Sequence, residues 1–441
     1  MQKKPIKFAL LFLWLVCSAA AVRSQEKISL ETLVDRVLTE NYQVKIVRNE
    51  AMQAVNNNTP GNAGFLPSLD VQGTTSRAVN NTRQELFNGT IREGEDAKTK
   101  ALSGYVEANW TVFDGFRMFA MRDKLSLLEQ VGAINTRYFI EQTIADVSVA
   151  YYQLILENNL LANLKKTFDV SRFRYELEAK KRQVGSGTTL SYNLALMDYR
   201  SDSLAIIGQE QVIKSLQIQL NRLTRRDPDA LLIPAGQLLS FNGIAGKESL
   251  TDQAIAANRD IQLALAREMI AEKDVRIAQA SRFPQAEVYG RYAYTRQKND
   301  IGVTQLNRTY GRTYGITVRL NLFDGGKLNK AIDNEKLAEE NTLLTRQHVT
   351  ELIAAEVLDL YYAHESLVKQ RTIAAENISL AERSQEIART QLEKGAIDGY
   401  DFRQTQLAVI ASQNQLTQIN FSLLSLEIQI DRLTGNINSQ L

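Results

Sequence analysis

Proline, cysteine and histidine are all scarce in this chain. There are six prolines in 441 residues. Apart from Pro5 they are Pro60, Pro67, Pro228, Pro234 and Pro284, so residues 68–227 and 285–441 lack the strongest helix breaker. The single cysteine, Cys17, lies near the N-terminus, which leaves the remainder without disulfides or thiolate chemistry. Two histidines, His348 and His364, are too few for a zinc cluster or a histidine-based triad. Charge of one sign is also missing: 52 basic and 50 acidic residues give a net +2, so no single-sign field recruits nucleic acid. No nucleophile–base constellation or phosphate loop stands out, and the chain reads as a non-enzyme without cofactor or metal.

The first 24 residues read as a secretory signal. Lys3, Lys4 and Lys7 precede an apolar core from Phe8 to Val16, and Ser18 to Ser24 form a small-residue cleavage zone. A membrane anchor is the rival, but the apolar run is short and no comparable stretch follows. A lipid anchor on Cys17 is disfavoured by Val16, where lipoprotein processing wants a small residue.

What is present is repetition. Phe113-Asp114-Gly115 recurs 210 residues later as Phe323-Asp324-Gly325, and Glu141, Tyr151-Tyr152, Gly185 and Arg222-Leu223-Thr224 match Glu351, Tyr361-Tyr362, Gly395 and Arg432-Leu433-Thr434. Upstream the offset becomes 217, pairing Asn41 with Asn258 and Pro67 with Pro284. The unit is far longer than a solenoid repeat. We divide the chain into a first repeat (25–227), a linker (228–248) and a second repeat (249–436).

Each repeat opens with a helix, roughly 29–58 and 249–280, broken in its middle by Asn41 or Asn258. Two strands follow, at about 65–75 and 103–113 and again at about 283–295 and 313–323. Val106, Ala108, Trp110 and Val112 alternate with Glu107, Asn109 and Thr111. Likewise Ile316, Val318, Leu320 and Leu322 alternate with Thr317, Arg319 and Asn321, a half-buried pattern. A soluble antiparallel pair and a transmembrane β-barrel both fit runs of ~10 residues with one apolar face. The polar segments between paired strands read as long loops. After each Phe-Asp-Gly the period becomes helical across 116–183 and 326–393. A helix of ~68 residues is about 100 Å long and needs coiled-coil partners. Glycine-containing breaks at 184–189 and 394–399 turn each helix back on itself, with helical periodicity resuming to Thr224 and Thr434. Four membrane strands cannot close a barrel and lipid tolerates no open edge, so a membrane reading demands an oligomer: two copies give eight strands and three give twelve.

With these features in this order, the sequence resembles the TolC-type outer-membrane efflux protein family (the outer membrane factors) over residues 26–436. The resemblance rests on the duplication, the "FDG" at each strand-to-helix junction and the tip motifs, including "AERSQEIARTQLEKGAIDGYDFRQTQLAVIASQNQL". It implies an α+β membrane protein: a homotrimer sharing one twelve-stranded β-barrel that continues into a long α-helical coiled-coil periplasmic tunnel. It also implies a place in the outer membrane of a Gram-negative bacterium, as the exit duct of a tripartite efflux or type I secretion system. The partners implied are a periplasmic adaptor (membrane fusion) protein, an inner-membrane RND or ABC-type transporter and outer-membrane lipid. A secreted coiled-coil scaffold or adhesin without a pore is the alternative, and a soluble adaptor would need a compact lipoyl-like or β-barrel domain of many short strands.

Candidate functional residues follow. Phe113, Asp114, Gly115, Phe323, Asp324 and Gly325 read as strand-to-helix hinges, each aspartate capping its helix and each glycine supplying the backbone swing. Asp401 stands at the start of the helix after the second tip. In a trimer three such carboxylates ring a tunnel mouth and favour cations. Family members often carry a second aspartate three residues on, where this chain has Gln404, and the equivalent place in the first repeat is Ser191. A latch arginine of some members corresponds to Ile397, so that latch is not carried over, and Asp398 is its candidate substitute. Val184, Gly185, Ser186, Lys394, Gly395 and Ala396 are the adaptor-docking tip candidates, Lys180-Lys181-Arg182 reads as a solvated face, and Arg291 and Arg319 fall on the polar side of their strands.

Overall fold

A computed structural model describes residues 27–236 and 243–437. The secretory segment and Cys17 lie outside the described residues. Contacts divide the chain into two compact units, and neither is a sequence repeat. One comprises Met1–Arg48, Asn135–Ile261 and Val349–Leu441; the other comprises Asn49–Ile134 and Gln262–His348. Each repeat therefore contributes to both units.

The second unit is built on one antiparallel sheet. Its strands are β2 (Ser68–Glu85), β3 (Ile91–Phe113), β5 (Gln285–Asn299) and β6 (Leu306–Arg319), in the order β2-β3-β5-β6. The two hairpins join through β3 and β5, with Thr99 opposite Asn299 and Val106 opposite Tyr292. That leaves β2 and β6 as edges. The segments expected to be long polar loops are mostly strand. β2 and β3 run to a short turn in which the amide of Leu86 donates to the carbonyl of Thr90 (2.9 Å) and Gly89 adopts φ +76°. Their residues are polar on both faces, so alternation, the signal for a strand, is absent there. At the other end the expected strand 313–323 stops at Arg319, opposite Gln285. The residue before Gln285 is Pro284, which has no N–H to extend the ladder.

The first unit is helical. It contains α1 (Leu30–Glu40), α4 (Thr189–Leu223), α5 (Lys247–Ala257) and α8 (Gly399–Leu433), together with parts of α2 (Tyr42–Asn57), α3 (Arg117–Gln183), α6 (Arg259–Ala280) and α7 (Lys327–Glu393). α3 and α7 are each 67 residues long, about 100 Å at ~1.5 Å per residue. Leu33, Val37, Val147, Leu154 and Leu220 form the centre of the main core, and Leu250, Val357, Ile430 and Leu433 that of a second. A two-residue parallel pairing of β1 (Lys27–Ile28) with β4 (Ile233–Pro234) lies beside the main core. The buried Tyr151 hydroxyl holds it, donating to the carbonyl of Ile28 and accepting from the amide of Ala235, both at 3.1 Å. Tyr151 thus joins the two short strands as well as packing in the main core.

The asparagine breaks have a chemical cause. Asn41 leaves the helix with ψ 131°, and its side chain accepts from the amides of Gln43 (2.8 Å) and Val44 (3.4 Å), restarting the helix. Its Nδ2 donates to the carbonyl of Leu223 (3.0 Å), one of the unpaired carbonyls at the end of α4. Asn258 repeats the arrangement with ψ 132°, accepting from Asp260 (2.9 Å) and Ile261 (3.3 Å) and donating to Leu433 at the end of α8 (3.3 Å).

Candidate functional site: sheet faces, joints and helix tips

The register sorts the sheet into two faces. One carries Leu69, Val71, Val106, Trp110, Val288, Tyr292, Tyr310, Tyr314, Ile316 and Val318, all large, apolar or aromatic and, except Val288, strongly exposed. The indole N–H of Trp110 donates to the carbonyl of Phe65 (2.9 Å) near the strand-to-helix end, and tyrosines cluster towards the other end. The opposite face is polar. One of its rungs places Asp70, Glu107, Arg291 and Thr313 side by side, with the Arg291 guanidinium 3.6 Å from the centroid of the Tyr105 ring. An apolar face of this size on an isolated sheet is a surface made to be covered. No described helix is long and apolar enough to cross a membrane.

The two Phe-Asp-Gly joints differ. Asp324 caps α7, accepting from the amides of Gly326 (3.0 Å) and Leu328 (2.8 Å), with Gly325 and Gly326 at φ +73° and +81°. Asp114 departs from the expected cap: its buried Oδ1 has no hydrogen-bond partner. Packing holds that joint instead. Phe116, left-handed at φ +69°, sets its ring edge-on to Phe113 (5.4 Å) and Phe283 (6.5 Å). A Cβ on Gly115 would lie 2.4 Å from the Ala280 carbonyl oxygen and 2.7 Å from the Phe283 Cβ, whereas one on Gly325 would meet nothing within 4 Å. Asp114, Arg117, Arg319 and Asn321 also line a cavity of about 420 Å³ beside the joint.

Both tips close with the same turn. After α3, Gly185 at φ +76° lets its own amide reach the carbonyl of Arg182 (3.2 Å) and that of Ser186 reach Lys181 (2.9 Å). After α7, Gly395 at φ +71° does the same, Gly395 to Leu392 (3.0 Å) and Ala396 to Gln391 (2.8 Å). These paired bonds satisfy the last helix carbonyls and need a left-handed residue at the glycine. Val184, Gly185, Ser186, Lys394, Gly395 and Ala396 are all exposed. Asp398 is the N-cap of α8, accepting from the amides of Tyr400 (2.8 Å) and Asp401 (2.9 Å). Asp401 and Gln404 follow, exposed and three residues apart on one face, while Arg403 between them is buried.

Arg403 is a residue that sequence reasoning misses. Its Nη2 donates to Asp202 Oδ2 on α4 (2.8 Å) and its Nη1 to the carbonyl of Thr167 on α3 (3.3 Å), tying α8 to the first hairpin. Nearby, Arg174 pairs with Asp198 (2.8 Å). A column of rings also fastens α3 to α4: Phe168 on Tyr199 (5.2 Å), Tyr199 stacked on Tyr175 (5.4 Å), Tyr175 against Tyr192 (5.8 Å), and Arg182 over Tyr192 (4.6 Å). These pairs lie 10 to 31 residues apart, and no short motif announces them. Farther from the tip, His364 Nε2 on α7 is 3.3 Å from Glu427 Oε1 on α8, and burial, then the neighbouring Glu427, pushes the Asp431 carboxyl up to about 6.

Two stripes of exposed apolar residues keep a seven-residue spacing: Leu190, Met197 and Leu204 on α4, and Ile373, Leu380 and Ile387 on α7. Apolar heptads are the signature of a helix that expects a neighbour.

Comparison with known proteins agrees with this geometry. The family of outer membrane efflux proteins matches residues 250–436. The outer membrane channel CmeC of Campylobacter jejuni shares the fold, with a TM-score of 0.77 at 15% identity over 92% of this chain and 86% of that one. The outer membrane protein VceC of Vibrio cholerae does so with a TM-score of 0.73 at 16% identity over 92% and 96%. The open state of the MtrE outer membrane channel of Neisseria gonorrhoeae gives 0.73 at 16% over 92% and 89%. No curated protein matches the chain by sequence. The resemblance read from the repeats and the tips is thereby borne out, and the fold is that of these outer-membrane channels.

Proposed function

We propose that a chain with this family match and this fold is the exit duct of a tripartite efflux or type I secretion system in the outer membrane of a Gram-negative bacterium. It conducts substrates passively from a periplasmic pump assembly to the exterior. The observation that carries the reading is the four-stranded sheet with an exposed apolar face, a polar face and two open edges. In lipid such edges must pair, and three copies give twelve strands around a polar passage. The heptad stripes on α4 and α7 support the same oligomer, because one protomer's stripe has a partner only on another. A pore-free scaffold has no use for the apolar face.

In the trimer three copies of Asp401 gather at the helix tips, with Gln404 beside each. Asp398, as the helix cap, holds the turn that positions them. The uncharged glutamine gives a ring of three carboxylates and a modest preference for cations. The rigid glycine turns at 184–186 and 394–396 are the surfaces for the adaptor protein, and the inner-membrane transporter supplies energy. Planar-bilayer recording of the detergent-extracted protein tests the reading. Discrete conductance steps with cation preference are expected, and Asp401→Ala is expected to lower that preference. A protein that never conducts contradicts the duct, whereas unchanged selectivity in the variant removes only Asp401 from the constriction.

A further inference from the structure

The apolar face of the sheet is topped by a tier of cations. Beyond Tyr294 and Tyr310, which lie opposite each other, the next rung on that face sets Arg296 opposite Arg308. The following rung sets Arg77 opposite Lys100 and Lys100 opposite Lys298, and Lys98 comes after. At the same height the polar face holds Ser76, Ser103, Thr295 and Thr309, without charge. Three directly opposed like-charge pairs share one patch, and the carboxylate beside it, Asp300, accepts from the backbone amide of Lys98 (3.1 Å) without an ion pair to any of the six side chains, an arrangement that costs stability unless an anion sits among them. Among the described residues the sheet's ion pair is Arg83 with Glu93, beyond this tier, and none of the six cations makes one.

Depth places the tier at a membrane surface. From Ala286 to Tyr294 the apolar part of β5 spans roughly 27 Å along the strand at ~3.4 Å per residue, or ~20 Å of depth at a tilt of ~40°. The tyrosines occupy the girdle position at the edge of such a band; a single cation, Arg312 opposite Tyr292, lies one rung inside it, and the opposed cation pairs begin one rung above the tyrosines.

We propose that this tier binds the phosphate groups of an anionic lipid of the outer leaflet, whose acyl chains cover the apolar face below. The inference rests on the membrane reading given above. A lipid fits better than a soluble anion because the cations are continuous with the apolar face and, at this height, are absent from the polar one. Each guanidinium offers forked donors to phosphate oxygens, and the lysines add charge.

The test is native mass spectrometry of the detergent-extracted full chain incubated with diphosphoryl lipid A or with the same lipid after enzymatic dephosphorylation. The expected result is retention of the phosphorylated form at least ~10-fold above the dephosphorylated one. Lys100→Gln with Lys298→Gln, or Arg296→Gln with Arg308→Gln, is expected to abolish that difference. Arg291→Gln on the polar face leaves it intact. Excess inorganic phosphate is expected not to displace the lipid. Equal retention of the two lipids, retention unaffected by the glutamine pairs, or displacement by phosphate overturns the proposal. Conductance in neutral phosphatidylcholine bilayers, recorded for wild type and glutamine variants, separates the two readings. Insertion and conduction without lipid preference defeats only the lipid site, and failure to insert at all defeats both.

Discussion

The two halves of this chain reach nearly the same backbone by different chemistry. At the first joint a left-handed Phe116 is held by rings; at the second, Gly326 takes that conformation and Asp324 caps the helix. The first hairpin is fastened by four stacked or tilted rings, while among the described residues no aromatic pair joins α7 to α8. After α4 the left-handed residue is Arg225, its guanidinium 3.9 Å from the Tyr42 ring centroid; after α8 it is Gly435. Near the ends of those helices the first half uses buried amides, Gln217 and Asn221, which donate to the carbonyls of Leu232 and Ala230. The second half has the carboxylates Glu427 and Asp431 at the corresponding positions. Side-chain packing thus specifies the first half, whereas glycines, caps and titratable groups shape the second. Packed cores rearrange reluctantly, so the second hairpin is expected to open locally at lower free-energy cost than the first.

The link between the hairpins carries the largest expected effect. Arg403→Leu leaves the Asp202 carboxylate, 17% exposed, without its partner, and a loss of about 3 kcal/mol is expected in chemical denaturation. If the chain is the proposed duct, the same variant should raise spontaneous opening in bilayers. Opening unchanged from wild type would show that Arg403 holds the fold but not the tip.

Next come the joints. Gly115→Ala must displace the Ala280 backbone as well as adopt φ +70°, and is expected to cost about 2–4 kcal/mol, against ~1 for Gly325→Ala, which faces open space. Equal melting shifts for the two would contradict the claim that only the first joint is packed. Tyr199→Ala removes the ring shared by two contacts of the column, and about 2 kcal/mol is expected. Its signature is faster amide exchange near the first tip, approaching the rate at the second.

The smallest effect concerns pH. The Asp431 carboxyl, pushed up to about 6, binds its proton more tightly in the folded than in the unfolded chain, where the ordinary value is 3.8. Between those values the folded state holds more protons, so this residue's contribution to stability falls as pH rises from about 4 through 6. Asp431→Asn, which copies Asn221, is expected to remove that slope. The variant should be more stable than wild type above pH ~6, by on the order of 1 kcal/mol after allowing for partial solvent exposure, and no different near pH 4.

Much of this was legible in the sequence, for identifiable reasons. Absence of proline and a helical period mark 116–183 and 326–393, where helices run over 117–183 and 327–393. Asn41 and Asn258 announce their breaks because asparagine can cap a restarting helix. The upper strands were not legible, since Asn, Thr, Arg and Lys on both faces give no alternation, and with them the cation tier stayed hidden. The pairing of β3 with β5 is a long-range choice that no local pattern encodes. Asp114 misled because its motif is identical to that around Asp324, while the residue two positions on, phenylalanine or glycine, decides how the joint is held. Arg403 reads as one more charge on a polar helix until Asp202 and Thr167 are seen beside it.

Closure of the sheet into a shared barrel is the claim on which the rest depends. Cys17 is the chain's only cysteine and lies in the predicted signal, so Thr74→Cys on the β2 edge can be combined with single cysteines scanned along β6, from Asn307 to Thr317, and oxidised in isolated membranes. Some positions are expected to give a covalent ladder ending at three chains. Monomers at every position, or a ladder running past three, would contradict it.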